Sequence, residues 1–278
     1  MEVTSIAEQI LFSTFRIDTI MENSRKGVAT GFVFDYNIEE KNYLFLVTNK
    51  HVVTDAKIGK INFLMNKNGK PQLGQSYPIT IAGFEKIWHD HPDQDIDVTV
   101  SPFGPLLKKL GERGVNIFYK SIPRNLVPSK DDLMSLDSIE DVVFIGYPSG
   151  IWDSTNFLPI TRKGITATPI CIDFKGKPQF VIDASVFEGS SGSPVFLYNT
   201  GMYTIKGKGA TVGSRLLFLG IIAGVFFKNE ENDIRIRHVP TSVEPFVVSR
   251  QMLDLGIVFK ASTIIDAIED CLKEHKIL

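Results

Sequence analysis

Short apolar runs dominate the chain from about residue 12 to about residue 227. They are rich in Val, Ile and Phe, and Asn, Gly, Pro or Asp bounds them, which is typical of β-strands. The clearest runs are 31–34, 43–47, 61–64, 142–145, 180–184 and 216–227. Many short strands without long helices between them indicate a sandwich or a barrel.

Helical spacing of apolar residues occurs mainly at the two ends of the chain. Residues 3–12 place apolar side chains on one face and predict a short helix. Residues 261–275 carry a clear 3.6-residue apolar pattern and predict a C-terminal helix. The stretch 104–140 is less regular, and we expect it to cross between two halves of the fold.

The composition is that of an ordinary globular protein. The 278 residues are 43% hydrophobic and 22% charged, which is enough to bury a large core in one or two domains. The formal net charge is −2, so charge gives no argument for nucleic acid or an anionic membrane as a partner.

The N-terminal residues, the apolar runs and the two cysteines indicate the cellular compartment and whether the thiols are free. The N-terminal residues lack the basic and apolar segments of a secretory signal, and the longest apolar run, 216–227, is too short to span a bilayer. Cys171 and Cys271 lack metal-ligand spacing, so two free buried thiols are favoured over a disulfide. We therefore expect a soluble, cytoplasmic protein.

The stretch 186–195 is the candidate site for chemistry, because small residues surround one serine between two apolar runs. Gly189 and Gly192 flank Ser191 and allow a backbone with φ > 0. In such a turn the N–H groups of Gly189 and Ser191 can converge on one point, as an oxyanion hole requires. Gly/Ser-rich turns are common, so the motif alone is only suggestive.

A serine nucleophile needs a base and a group that orients the base. Among five histidines, His51 stands out because it follows a hydrophobic strand and precedes a polar break. Among the candidate acids, Asp97 lies at the start of a predicted strand. Asp95 is two residues earlier and would lie on the same face of that strand, so periodicity cannot decide which of the two aspartates is the acid. His89 and His91 stand near carboxylates, but a solvated loop is favoured over a metal site because no third ligand has fitting spacing.

Three ordered segments resemble those of trypsin-like serine peptidases. Residues 46–53, Leu-Val-Thr-Asn-Lys-His-Val-Val, resemble the histidine motif of the HtrA-type branch. Residues 91–100, His-Pro-Asp-Gln-Asp-Ile-Asp-Val-Thr-Val, resemble the acid segment of bacterial members. Residues 182–194, ending Glu-Gly-Ser-Ser-Gly-Ser-Pro, resemble the nucleophile segment. The resemblance covers roughly residues 25–230.

The resemblance implies an all-β, chymotrypsin-like double β-barrel with a short N-terminal helix and a C-terminal helix. One peptidase domain would span 1–278, with the first barrel at about 12–103, the crossover at about 104–140 and the second barrel at about 141–260. It assigns the nucleophile to Ser191, the base to His51 and the acid to Asp97. No metal or organic cofactor is implied.

Two positions depart from the pattern of secreted relatives. Ser190 stands where those enzymes carry an Asp that pairs with a new N-terminus, so activation by that pairing is not expected. Ser193 replaces a frequent Gly and matches the glutamyl endopeptidase branch. Because few residues follow about 255, we expect no PDZ domain after the barrels.

The resemblance places the base of the primary specificity pocket at Ser185, which is not an acid. With Ile222 or Ala223 on the opposite wall, we expect a shallow, mostly apolar pocket for a small or medium aliphatic residue before the cut. Trypsin-like preference for Lys or Arg is not supported.

The sequence thus predicts a serine endopeptidase acting on protein or peptide substrates. An unguarded peptidase would endanger its own cell, so we expect a regulatory protein partner or narrow specificity. The rival hypotheses are a catalytically silent or closed peptidase-like binding module, and an esterase or acyltransferase that uses the same residues.

Overall fold

A computed structural model of the protein describes residues 1–229 and 250–278. Its N-terminal strands are β1 (Thr14–Met21), β2 (Lys26–Ile38), β3 (Lys41–Thr48), β4 (Ala56–Lys67), β5 (Lys70–Ala82), β6 (His89–Asp90), β7 (Thr99–Pro102), β8 (Ile117–Phe118) and β9 (Ile122–Pro123). Its C-terminal strands are β10 (Asp141–Gly146), β11 (Ile160–Thr166), β12 (Gln179–Asp183), β13 (Pro194–Ile205), β14 (Gly209–Asn229) and β15 (Arg250–Lys260). Its α-helices are α1 (Ile6–Leu11), α2 (Lys50–Val53), α3 (Gly104–Glu112), α4 (Lys130–Ser135) and α5 (Ala261–Glu274).

The strands form two sheets, one from each half of the chain. The N-terminal sheet has nine strands and runs β5-β4-β1-β2-β3-β7-β6, with β8 on β4 and β9 on β2. The C-terminal sheet closes into the barrel β10-β11-β12-β15-β14-β13. The predicted all-β double-barrel class with helices at both ends is confirmed.

Strand alternation explains where the cores lie. One core fills the N-terminal sheet and includes Phe15, Ile61 and Phe103, and another fills the C-terminal barrel. A third core lies between the two halves, where Phe32 meets Phe218 with ring centroids 5.4 Å apart. Because apolar residues of α5 join this third core, the C-terminal helix packs across both halves.

Local sequence signals set the helix ends. Ser5 accepts a hydrogen bond from the Glu8 amide while the Glu8 carboxylate accepts one from the Ser5 amide, so a capping box begins α1. In α5, Ile264 and Ile268 are fully buried one turn apart. Both predicted terminal helices are therefore present, although α1 is shorter than the predicted 3–12 and buries only Ile10.

Both cysteines are free thiols, as expected, although Cys171 is only half-buried. Burial raises the pKa of the Cys271 thiol to about 11. Among the helices that the structure describes, none is long and apolar enough to cross a membrane.

Candidate active site

The pairing of β3 with β7 brings the candidate base beside the candidate acid. Thr48 pairs with Thr99, so the residues just after β3 lie next to the residues just before β7. Asn49 then turns the chain into α2 and donates from Nδ2 to the Asp97 carbonyl oxygen at 2.7 Å. His51 therefore enters the cleft on a short helix whose first turn is bound to the acid segment.

Asp97 holds His51 through both of its carboxylate oxygens. Oδ2 lies 2.5 Å from His51 Nδ1, and Oδ1 accepts the His51 backbone N–H at 3.1 Å. Because an ionised carboxylate only accepts hydrogen bonds, Nδ1 carries the proton and the free lone pair lies on Nε2. His51 is thus held in the tautomer that a general base needs.

The structure separates the two aspartates that share parity. Asp95 is exposed and pairs with Lys177 at 2.9 Å, away from His51. Its backbone N–H is bonded to Asp93 Oδ1 at 2.9 Å, which bends the chain before Asp97. Strand periodicity failed here because residues 93–96 form a turn and not an extended strand.

The serine turn has the left-handed glycines that the sequence indicates. Gly189 has φ +84° and Gly192 has φ +85°. A Cβ at Gly189 would lie 2.5 Å from the Tyr147 carbonyl oxygen, and one at Gly192 would lie 1.8 Å from that of Thr30. Both positions therefore require glycine for space as well as for backbone conformation.

The turn leaves two backbone donors available on either side of Ser190. The amides of Ser190 and Gly192 are used, donating to the carbonyl oxygens of Phe187 at 3.0 Å and Ile222 at 2.8 Å. Across residues 1–229 and 250–278, the amides of Gly189 and Ser191 donate to no protein acceptor. These are the two N–H groups that the sequence assigns to an oxyanion hole.

One cleft of about 530 Å³ is lined by His51, Gly189 and Ser191 together. The hydroxyl of Ser191 has no hydrogen-bond partner in the described part of the chain, His51 included. A neighbouring hollow of about 820 Å³ is lined by His51 and Asp97. The candidate base and nucleophile therefore face the same space from opposite halves of the fold.

The residues expected to form the specificity pocket differ in exposure. Ser185 and Ala223 are half-buried, whereas Ile222 is 1% exposed and packs in the core of the C-terminal barrel. The backbone of Ile222 is also committed, because its N–H donates to the Ser193 carbonyl oxygen at 3.0 Å. The Ile222 side chain thus points into the barrel core, and its assignment to the pocket wall stays a prediction.

The segment at 89–91 is not the solvated loop that the sequence favours. His91 is buried, and the ring of His89 lies under α5, where Nε2 is 2.9 Å from Asp270 Oδ2 and Nδ1 is 3.3 Å from Glu274 Oε2. Among the described residues, one group brings its ligand atoms close enough together for a metal ion, and it consists of His89, Asp270 and Glu274. Each ring nitrogen of His89 already faces a carboxylate. A network of contacts between the histidine and the two acids therefore accounts for the close grouping of these residues.

Sequence reasoning missed the residues that join the two halves around the turn. Thr30 on β2 donates from Oγ1 to the Gly189 carbonyl oxygen at 3.0 Å, and Arg16 on β1 donates to the Gly150 carbonyl oxygen at 2.6 Å. The only local sign of this role in the sequence is a polar threonine inside the apolar run of β2. The structure shows that Thr30 is fully buried. Of the remaining histidines, His275 is exposed and His238 lies outside the described residues.

No protein-family model and no curated protein sequence matches the chain. Among solved structures, it is similar to the active form of the Rv3671c protease from M. tuberculosis, with 16% identity, a TM-score of 0.45 and coverage of 95% of this chain and 82% of that one. It is also similar to the HtrA-type protease AlgW, with 14% identity, a TM-score of 0.48 and coverage of 97% and 63%. An inactivated protease paralogue from the scabies mite is similar at 14% identity, a TM-score of 0.47 and coverage of 95% and 97%. Conclusions about activity therefore rest on the geometry of the site.

Proposed function

We propose that this protein is a serine endopeptidase in which Ser191 is the nucleophile, His51 the general base and Asp97 the residue that orients the base. One observation carries the proposal: a histidine held by Asp97 at 2.5 Å faces the same cleft as a serine on a glycine-flanked turn. A histidine whose free Nε2 lone pair shares a cleft with a serine hydroxyl is the combination that nucleophilic acyl transfer uses.

The chemical steps follow from these positions. Ser191 Oγ attacks the carbonyl carbon of the scissile peptide bond while His51 Nε2 takes the hydroxyl proton. The imidazolium then gives that proton to the leaving amine, and the acyl-enzyme remains on Ser191. A water molecule, deprotonated by His51, attacks the acyl carbon and releases the second product with Ser191 restored.

Charge on the tetrahedral intermediate develops on the former carbonyl oxygen. The amides of Gly189 and Ser191, which donate to no acceptor within the described ranges, would donate to that oxygen. Losing one such donor in an acyl-transfer enzyme costs about 10²–10³ in rate. Asp97 lowers the cost of forming the imidazolium because its carboxylate lies against Nδ1.

The proposed substrates are proteins or peptides with a small or medium aliphatic residue before the cut. Ser185 and Ala223 support this preference, since neither brings a charge to the pocket and both are half-buried. We further propose that a regulatory protein partner or narrow specificity restrains the activity in the cytoplasm.

Fluorophosphonate labelling tests the proposal on the purified full chain. Wild type should be labelled, Ser191→Ala should not be, and Asp97→Asn should be labelled far more slowly because the base loses its tautomer. Ser154→Ala and Asp95→Asn are the matched controls, since Ser154 is exposed in a loop and Asp95 pairs with Lys177. Both controls should be labelled at the wild-type rate.

A peptide library then separates an endopeptidase from an esterase or acyltransferase on the same residues. Cleavage of peptides that disappears in Ser191→Ala supports the endopeptidase. Turnover of simple esters without any peptide cleavage would replace it with the esterase. A library that favoured Arg or Glu before the cut would overturn the proposed pocket.

A catalytically silent or closed binding module is the second candidate function. The observation that favours it is the Ser191 hydroxyl, which makes no hydrogen bond to His51 within the described residues. Catalytic hydrogen bonds are often long in free enzymes and tighten when substrate binds. Wild-type protein that resists the fluorophosphonate while still binding peptides would establish the module and reject the endopeptidase.

A further inference from the structure

The side chain of Arg16 crosses from β1 in the N-terminal half to the loop after β10 in the C-terminal half. Its Nη1 donates to the Gly150 carbonyl oxygen at 2.6 Å, and its guanidinium lies 5.1 Å from the ring centroid of Trp152. Only 14% of the side chain is exposed. An arginine buried in this way fixes the loop by a charge-assisted hydrogen bond and by stacking.

Asp18 holds the guanidinium in place. Its Oδ1 accepts from Arg16 Nε at 3.0 Å and from Nη2 at 2.7 Å. Two donors of one planar fork are therefore bound on one side, and Nη1 is left to point at Gly150. A lysine has a single ammonium group and cannot make both sets of contacts from one position.

The loop that Arg16 holds is itself in contact with the serine turn. The amide of Ser149 donates to the carbonyl oxygen of Glu188, which is the residue before Gly189. In a trans peptide the carbonyl and the N–H point in opposite directions, so this bond aims the Gly189 N–H away from the loop. Gly189 also lines the cleft that contains Ser191.

The backbone of this loop needs external support. Ser149 has φ +50° and Gly150 has φ +70°, both in the left-handed region. A non-glycine residue there carries strain and persists only when the surroundings hold it. The Arg16 contact with Gly150 supplies that support one residue away from the Ser149 amide.

We infer that Arg16 is a positioning residue that sets the orientation of the Glu188–Gly189 peptide and thereby forms the oxyanion hole. The inference concerns regulation of the same site and so rests on the proposed function. Ser190 stands where secreted relatives are expected to carry an activating Asp, but it does not orient this peptide. Within the described residues, the Ser190 hydroxyl accepts a hydrogen bond only from the Phe187 amide, at 3.4 Å. The interaction that orders the oxyanion hole therefore comes from the other half of the fold.

The test compares wild type with Arg16→Met and Arg16→Lys in the full chain. Arg215→Met is the matched control, because Arg215 is 13% exposed, pairs with Glu140 at 2.9 Å and lies 4.7 Å from the Tyr203 ring centroid. It removes an equally buried, stacked guanidinium far from the cleft. Two main measurements are made on each protein: amide hydrogen exchange by NMR and the second-order rate of fluorophosphonate labelling. The low-field NMR resonance of the His51 Nδ1 proton serves as a separate check that the site remains folded.

Hydrogen exchange tests the positioning without any need for activity. The Ser149 amide should exchange about tenfold faster in Arg16→Met, since the loop opens locally. The amide of Val143, which is in the β10 ladder, should not change. The labelling rate should fall about 100-fold in Arg16→Met, in line with a lost oxyanion donor, and less in Arg16→Lys. Arg215→Met should match wild type in both.

The two measurements separate failure of this inference from failure of the proposed function. Unchanged Ser149 exchange and unchanged labelling in Arg16→Met would overturn the positioning role and leave the endopeptidase intact. Faster Ser149 exchange with no labelling of wild type would support the positioning role and reject the endopeptidase. The low-field NMR resonance of the His51 Nδ1 proton should persist in Arg16→Met, whereas its loss would mean general collapse of the site and would also overturn the inference.

Discussion

The backbone amide of Thr30 donates a hydrogen bond to the carbonyl oxygen of Ser191 at 2.9 Å, so β2 of the N-terminal sheet binds the turn that carries the candidate nucleophile. The Thr30 hydroxyl adds a donor bond to Gly189 and accepts the Tyr147 amide at 3.1 Å. The Thr30 carbonyl oxygen accepts from Thr48 Oγ1 at 2.8 Å, near the end of the strand that leads to His51. One buried threonine thus connects the histidine side of the cleft with the serine side.

Thr30→Val keeps the shape and the backbone bond but removes the hydroxyl. The Tyr147 amide loses a buried acceptor and the Gly189 carbonyl loses a buried donor, so the free energy of unfolding should fall by about 1–3 kcal/mol. The serine turn should also shift, and misplacement of reacting groups by about 1 Å costs up to about 100-fold in rate. Denaturant unfolding and the rate of fluorophosphonate labelling measure the two effects.

Two further variants separate the local effect of Thr30 from a general loss of stability. Thr30→Ser restores the hydroxyl and should recover most of the labelling rate. Thr263→Val removes another fully buried hydroxyl, which donates to the Lys260 carbonyl oxygen at 2.9 Å in the C-terminal helix. It should lower stability without slowing labelling. Equal labelling of Thr30→Val and wild type would contradict the connecting role.

A second prediction concerns the left-handed glycine of the turn. Gly189→Ala should abolish labelling, because the new Cβ would meet the Tyr147 carbonyl oxygen at 2.5 Å and the peptide would have to rotate. Gly201→Ala is the control: Gly201 has φ +89° but nothing lies within 4 Å of its Cβ position. The Gly201→Ala variant should lose only the about 1–2 kcal/mol that a left-handed backbone conformation costs an alanine. Slow labelling of both variants would show that backbone strain, and not the clash, is responsible.

Structural features that depend on residues close together in the chain could be predicted from the sequence. The capping box of Ser5 and Glu8 and the apolar stripe of α5 are local patterns, and both helices are present. The alternation of apolar runs likewise indicated the sheets. Even so, the strong β-patterning did not show that α5 would cover the core between the halves, because that contact depends on how the two sheets pack.

Contacts between distant residues that no sequence motif marks could not be predicted. Arg16 meets Gly150 across 134 residues, and His89 meets Asp270 across 181. No local pattern encodes such a pairing, since only the assembled sheets bring the side chains together. Periodicity alone could not choose between Asp95 and Asp97, which have the same strand parity. The resemblance assigned Asp97, and in the structure a turn brings that residue to His51.

A third prediction addresses substrate preference. Ser185→Asp places a carboxylate at the half-buried base of the proposed pocket and should shift preference from aliphatic residues toward Lys or Arg. Ser185→Asn has similar size without the charge and should keep the aliphatic preference. Profiling of cleaved peptides measures the shift. An aliphatic preference retained in Ser185→Asp would place the pocket elsewhere.

The last prediction concerns His91, which lies under α5 close to the acid segment. Its Nδ1 accepts the Asp93 amide at 3.0 Å, so Nε2 carries the proton, 4.0 Å from Asp266 Oδ2. Burial lowers the pKa of His91 below its usual 6.5, and the nearby Lys50 ammonium acts in the same direction. Burial also raises the pKa of the Asp266 carboxyl above 3.8. Folding therefore favours neutral His91.

Stability should accordingly fall as the pH drops from about 7.5 to about 5.5. The unfolded chain protonates His91 near pH 6.5 while the folded chain resists, so the unfolded state gains protons first. Each pKa unit of difference is worth about 1.4 kcal/mol. Asp266 contributes with the opposite sign in more acidic solution, because its carboxyl takes up a proton more readily in the folded chain than in the unfolded chain. His91→Asn should flatten the fall in denaturant midpoint, whereas His275→Asn, at an exposed histidine, should keep it. An equally steep fall in His91→Asn would assign the loss of stability to another group.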